Sequence, residues 1–139
     1  MKYFLAKTDP ETYSLQNLKK DKETVWDGVH NYQAINVIKS WEIGDRVLVY
    51  HSQDEKKIVG LMEVVSPAFK DPNDKRGISW AANVRFLEEF EPEKQISLAE
   101  IKEAGKFSHF HLVSHSRLST MACPDDFIEW MREKNILKP

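Results

Sequence analysis

Ile78-Ser79-Trp80-Ala81-Ala82-Asn83-Val84-Arg85-Phe86 is the stretch on which the fold class turns. Ile78, Trp80, Ala82, Val84 and Phe86 recur at every second position, with Ser79, Asn83 and Arg85 between them. A period of two belongs to a strand with one buried face. Asp71-Pro72-Asn73-Asp74 supplies the turn residues of a loop just before it. Upstream, Gly44-Asp45 turns the chain into a second alternating run over 46–52. Val47, Val49 and His51 are expected on one face, Leu48, Tyr50 and Ser52 on the other. Residues 57–65 are apolar on both faces for much of their length, as a barrel or sandwich interior requires. Residues 3–7 and 118–122 read as further strands.

Short helices are expected between these strands. Ser14 caps one running to Lys20. Asn31 starts another, with Tyr32, Ile35 and Ile38 along one side. Ser97 and Glu100 form a capping box ahead of a helix ending near Gly105. Pro124 suits the first turn of a last helix, whose positive end favours Asp125 and Asp126 and whose buried stripe is Phe127, Ile128 and Met131. Strands and helices do not alternate as in a parallel βα fold. The expected class is α+β: a small, curved, mostly antiparallel sheet or open barrel with flanking short helices.

The chain has 139 residues, 41% hydrophobic and 30% charged, the composition of an ordinary globular protein. One domain spanning 1–139 is expected. No apolar run reaches membrane-spanning length, and the apolar part of the N-terminus is too short for a signal-peptide core. No membrane partner is therefore expected. Cys123 is the single cysteine, so no internal disulfide can form, which fits a reducing compartment such as the cytoplasm. With 20 basic against 22 acidic side chains, the net charge of −2 does not suggest a strongly basic nucleic-acid binder. Local patches matter more than the sum, and Lys19, Lys20 and Lys22, Lys56-Lys57 and Lys75-Arg76 are small basic clusters. Glu88, Glu89, Glu91 and Glu93 form an acidic stretch that would face away from any phosphate.

Residues 26–36, Trp26-Asp27-Gly28-Val29-His30-Asn31-Tyr32-Gln33-Ala34-Ile35-Asn36, concentrate the binding chemistry. Trp26 offers a flat apolar face, and the amides of Asn31, Gln33 and Asn36 both donate and accept. Gly28 permits a turn that a side chain would block. These groups suit a flat, hydrogen-bonding ligand such as a nucleobase. The plainer alternative is a buried Trp beside an amide-capped helix.

Other chemistries find less support. His109, His111 and His115 lie close in sequence, but no cysteine or acidic residue falls within that segment to complete a zinc site. Phe107, Phe110 and Leu112 instead suggest a packed turn with surface histidines. Asp27, Lys7 and His51 would serve as an acid–base set in a hydrolase, yet no nucleophile elbow or phosphate-binding loop is present. Cys123 reads as a small buried or half-buried thiol, not a nucleophile. No cofactor is called for.

The order of motifs closely resembles the EVE domain family. The residues that carry the resemblance are Lys7-Thr8-Asp9-Pro10 with Tyr13-Ser14, then Trp26-Asp27-Gly28-Val29 with Asn31-Tyr32-Gln33-Ala34, then Gly44-Asp45 and Tyr50-His51-Ser52. Asp71-Pro72, Trp80 and Arg117-Leu118-Ser119 follow in the expected order. The resemblance covers essentially the whole chain, and its most specific part is the run from Trp26 to Ala34. It implies a PUA-like pseudo-barrel akin to YTH and ASCH domains. It also implies a non-catalytic reader of modified bases in DNA, with modified cytosines favoured and RNA as the alternative partner. Two departures stand out. His30 occupies a position where many relatives carry Arg, and Thr120-Met121-Ala122-Cys123-Pro124 differs from the usual late motif. The first removes a fixed charge near the expected pocket, since neutral His predominates at pH 7.

A base held inside a protein must come from a single strand or be flipped from a duplex. Trp26 is expected to form one wall and replace lost stacking, worth about 1–3 kcal/mol. Tyr32 is a second wall or a core residue of the helical stripe. Asn31 is the choice for reading the base edge unless it is spent as a helix cap. Asp27 is its rival, because a carboxylate accepts from the cytosine amino group. Lys7, Thr8 and Ser52, at strand ends, are expected at the pocket mouth. Arg117, Ser119 and Lys57 are expected to meet phosphate.

Overall fold

The computed structural model describes all of residues 1–139. In chain order the elements are β1 (Tyr3–Thr8), α1 (Leu15–Asp21), β2 (Glu23–Trp26), α2 (Tyr32–Lys39), β3 (Arg46–His51), β4 (Lys57–Val64), β5 (Phe69–Lys70) and β6 (Trp80–Glu89). After a single 3₁₀ turn come β7 (Ile96–Ser97), α3 (Leu98–Glu103), α4 (His111–Ser114), β8 (Thr120–Ala122) and α5 (Asp125–Glu133).

The principal path of the sheet runs β2-β6-β4-β3-β1-β8. Every neighbouring pair is antiparallel except β1 with β3, which are parallel with Leu5 opposite Leu48. This is the α+β class expected from the strand periods, a mostly antiparallel curved sheet with short helices, and it agrees with the pseudo-barrel that the family resemblance implies. Register shifts at Val49/Tyr50 and Leu61/Met62 mark bulges on both sides of β4; such bulges bend strands and raise local twist. Helix α2 packs against both β6 and β8, although these lie near opposite ends of the strand path. The sheet therefore curls until its two ends approach one another, with α2 across the gap.

Local chemistry explains the helix boundaries. Ser14 and Asn17 form a capping box at α1, and Ser97 and Glu100 form another at α3. Asn31 caps α2 by accepting from the Gln33 and Ala34 backbone N–H groups. Helix α5 follows Pro124, carries Asp125 and Asp126 in its first turn and buries Phe127, Ile128 and Met131. Gly60 marks a close approach: a Cβ there would lie 2.5 Å from both the Glu88 carbonyl oxygen and a Leu15 methyl. The absent side chain lets α1 sit down on the sheet.

One expectation is corrected, and one element was missed. Tyr32 is 68% exposed and does not belong to the buried stripe of α2, which is Ala34, Ile35 and Ile38. At 3.6 residues per turn Tyr32 lies roughly 110° around the helix from the centre of that arc. In β3 both faces are covered, and every residue from Val47 to His51 is buried. Strand β2 was not legible at all. Only Trp26 of its four residues is buried, and it becomes a strand through pairing with β6, Trp26 opposite Ala82.

Candidate functional site

The edge strands β2 and β8 are the two ends of the strand path, and a hollow of about 600 Å³ lies where they come together. Its wall combines Thr24 to Val29 from β2 and the following turn, Lys7 and Thr8 from the end of β1, Thr12 and Tyr13 from the β1–α1 loop, and Ser119 and Thr120 from β8. The volume falls in the range of about 300–1,000 Å³ typical of small-molecule sites. Trp26 is only 8% exposed and belongs to the hydrophobic core, yet it also lines this hollow. It is thus both a core residue and a pocket wall, where the sequence left these as alternatives.

The turn that follows Trp26 is held from outside. Gly28 has φ +73°, a conformation glycine adopts without steric cost. The buried Ser79 hydroxyl donates to the Val29 carbonyl at 2.6 Å. Arg76 donates to the His30 carbonyl at 3.3 Å and its other nitrogen lies 3.3 Å from His30 Nδ1. Asp74 orders that supporting loop in turn. It accepts from the backbone N–H groups of Ser79 at 2.7 Å and Ile78 at 3.1 Å, and these bonds help hold its carboxyl down at about pKa 2. Sequence reasoning marked 71–74 as a loop but gave no sign that it braces the pocket rim.

Polar groups on the wall differ in how far they are already committed. Lys7 Nζ donates to the Ser116 carbonyl at 3.0 Å and lies 5.8 Å from the centre of the Tyr50 ring. Burial lowers its pKa below that of an ordinary lysine. Thr8 donates its hydroxyl to the Tyr13 carbonyl at 2.6 Å, and the Tyr13 hydroxyl donates to Asp21 at 2.8 Å. Burial raises the Tyr13 pKa, with the Asp21 carboxylate adding to the shift. The Thr120 hydroxyl is fully buried with no hydrogen-bond partner. A buried hydroxyl left unpaired costs about 1–3 kcal/mol; this one is closed to solvent and is a polar defect of the wall, not a group turned into the hollow. The Asp27 carboxyl is raised, chiefly by burial and then by the nearby charge of Asp71. Thr12, Tyr13, Thr24 and Thr120 were not singled out as site residues. Tyr13 was visible only as a member of a family motif, and Thr120 only within a departure from one.

Other anticipated residues lie elsewhere. Asn31 accepts through one oxygen from Gln33 N at 2.8 Å and Ala34 N at 3.2 Å, and with Arg117 it lines a separate depression of about 310 Å³. Gln33, Ser114 and His115 share that depression. Tyr32 lines neither cavity. Ser52 stands behind the wall, its backbone N–H and hydroxyl both donating to the Thr8 carbonyl at 2.9 and 3.2 Å. Lys57 pairs with Ser97 of β7 and does not line the hollow. Arg117 and Ser119 fall in different depressions.

His51 is not assembled with Asp27 and Lys7. Its Nε2 accepts from the Leu15 N–H at 3.0 Å, satisfying a donor at the start of α1, while Nδ1 lies 3.1 Å from Glu55. The late histidines also separate in role. His109 pairs with Asp126 at 3.0 Å, whereas His115 contacts Ser114 at 2.6 Å and stacks near His111. No group of three or more His, Cys, Asp or Glu converges as a metal site. Cys123 is buried, and burial pushes its thiol pKa up. No helix is long and apolar enough to cross a membrane.

Comparison with known proteins agrees with this architecture. The EVE domain family matches residues 2–134, and the chain belongs to that family. Thymocyte nuclear protein 1 of Gallus gallus is 27% identical over 169 residues, an alignment covering 99% of this chain and 70% of the relative. The Homo sapiens protein of the same name is 36% identical over 81 residues, or 50% of this chain and 36% of the relative. That alignment, over half of this chain, spans about a third of the second relative's length. A crystal structure of human THYN1 in complex with 5-methylcytosine containing DNA matches with a TM-score of 0.85 at 25% identity, covering 100% of both chains.

Proposed function

We propose that this domain is a non-catalytic nucleic-acid reader that takes an unpaired or flipped modified base into the hollow beside Trp26. Modified cytosine in DNA is the favoured ligand. The observation that carries this reading is the combination at one site of a core-anchored indole, an open volume of about 600 Å³ and an exposed Asp27 carboxylate that no other side chain engages. The indole supplies a stacking surface, and the polar wall supplies bonds to a base edge. The complex of the human relative with 5-methylcytosine DNA supports the same class of ligand.

In this reading Lys7, Thr8 and Asp27 act from the wall, and Ser52 holds Thr8 in place. The Asn31 oxygen is spent on the helix, so the residue no longer offers the paired donor and acceptor that a base edge asks for, and its contribution to binding is the orientation of α2 and the preceding turn. Arg117 is exposed beside the hollow and meets the phosphate chain, with Ser119 at the boundary between the two depressions. Lys57 and Tyr32 contribute only through peripheral contacts with a longer strand. Binding without chemistry is favoured because Lys7 and Asp27 share the wall while His51, the third member of the acid–base set, is occupied by Leu15 and Glu55.

A binding panel of otherwise identical oligonucleotides, with modified or plain bases and DNA or RNA backbones, tests the proposal at one salt concentration. Preference for a modified cytosine, reduced by Trp26→Phe in a folded protein, is the expected result. Equal binding of all members would overturn it.

A further inference from the structure

Reading a methylated cytosine poses a problem that a methyl-sized recess cannot solve. Thymine carries a methyl group at the same ring position. The two bases differ along the opposite edge, where 5-methylcytosine presents an amino donor and then an acceptor nitrogen. Thymine presents a carbonyl acceptor and then an N–H donor. Stacking on Trp26 and burial of the methyl group serve both bases about equally.

Only groups of fixed polarity can separate these edges. A free hydroxyl rotates to donate or accept, so Thr12, Thr24 and Ser119 accommodate either base, while the Thr8 hydroxyl is held by the Tyr13 carbonyl and that of Thr120 is buried. Among charged side chains the hollow holds one of each sign. Lys7 is a donor only, and Asp27 in its ionised form is an acceptor only. Neither is consumed by an ion pair. Lys7 gives one bond to the Ser116 carbonyl, leaving further donors on the ammonium. Asp27 lies on the exposed rim, and no hydrogen bond from another side chain occupies it.

We infer that Asp27 is the specificity-determining residue of the hollow, admitting a 4-aminopyrimidine and rejecting thymine. This inference rests on the reading of the hollow as a base pocket. The carboxylate accepts from the exocyclic amino group, while donors such as Lys7 face the ring nitrogen and carbonyl. A thymine in the same pose sets its carbonyl oxygen against the carboxylate. Asp27 gains from such a donor because burial and the neighbouring Asp71 already disfavour its charged form. Asp71 cannot substitute for it: it is buried and its Oδ1 accepts from the Asn73 backbone N–H at 2.9 Å.

The test compares single-stranded oligonucleotides that differ at one position, carrying 5-methylcytosine, cytosine or thymine, with the full chain and its Asp27→Asn variant. An amide can turn either its oxygen or its NH₂ toward the base, so the variant loses the fixed polarity while keeping the shape. For the unaltered protein, 5-methylcytosine and cytosine are each expected to bind about tenfold or more tighter than thymine, as one good base-edge contact provides. In Asp27→Asn both ratios should fall to within about threefold, with the ratio of 5-methylcytosine to cytosine unchanged. Retention of discrimination against thymine by Asp27→Asn, or its absence from the unaltered protein, overturns the assignment. Equal binding of 5-methylcytosine and cytosine overturns the modified-base reading instead, and the cytosine-to-thymine ratio still judges Asp27. Circular dichroism confirms that the exposed substitution leaves the fold intact.

Discussion

The Trp26 hollow and the Asn31–Arg117 depression lie side by side but spend their polar groups differently. In the hollow, the exposed Asp27 carboxylate is engaged by no other side chain and remains available. In the depression, the amide that looked most suited to reading a base already accepts two backbone N–H groups of α2. Residue type alone would rank Asn31 with Asp27 as a base-edge reader. What separates them is prior commitment: a hydrogen-bonding group already satisfied by its own backbone gains little from a ligand.

Mutations on the two sides should therefore dissociate stability from selectivity. Trp26→Ala has the largest expected effect. Truncating a buried Trp costs about 3–5 kcal/mol of stability, so loss of binding in this variant must be read beside its denaturation midpoint. Trp26→Phe keeps an aromatic wall and separates the two roles. Asn31→Ala comes next, with a stability loss of about 0.5–2 kcal/mol from the missing cap. It should leave the ratio of modified to plain base binding unchanged in titrations at fixed salt. A collapse of that ratio would erase the distinction between the two depressions.

Arg117→Ala should weaken modified and plain oligonucleotides alike. Removing one phosphate contact lowers the slope of log affinity against log salt by about one. An unaltered slope would take the depression out of the contact surface. The smallest expected effect concerns the brace behind the hollow. The Asp74 carboxyl is depressed from 3.8 to about 2 in the folded protein, so it binds a proton more readily when unfolded. Its contribution to stability is present above pH about 4 and is lost as pH falls toward 2. Asp74→Asn should flatten that acid limb in denaturant midpoints, and no change in the limb would remove Asp74 as a brace.

Much of the local design was legible. The alternating run around Trp80 to Phe86 identified β6, although pairing extends the strand to Glu89. Ser14, Asn31 and Ser97 were recognisable as caps because their short side chains reach neighbouring backbone donors. Strand β2 escaped notice because an edge strand with one buried residue has little period to display. Tyr32 misled because its i, i+3 spacing to Ile35 matches a stripe whose centre lies farther around the helix. The site was legible only in pieces, with Trp26, Asp27, Lys7 and Thr8 foreseen and the threonines opposite them overlooked.

By itself, the amino-acid sequence determined the strand periods, the helix starts and membership of the EVE family, since these reside in short-range spacing and side-chain chemistry. Only the tertiary structure decided that Trp26 both packs in the core and borders a hollow, and that Thr120 arrives there without a partner. Those facts arise where curvature brings β2 and β8 together from opposite ends of the strand path. No local pattern records which groups remain unsatisfied after such a meeting.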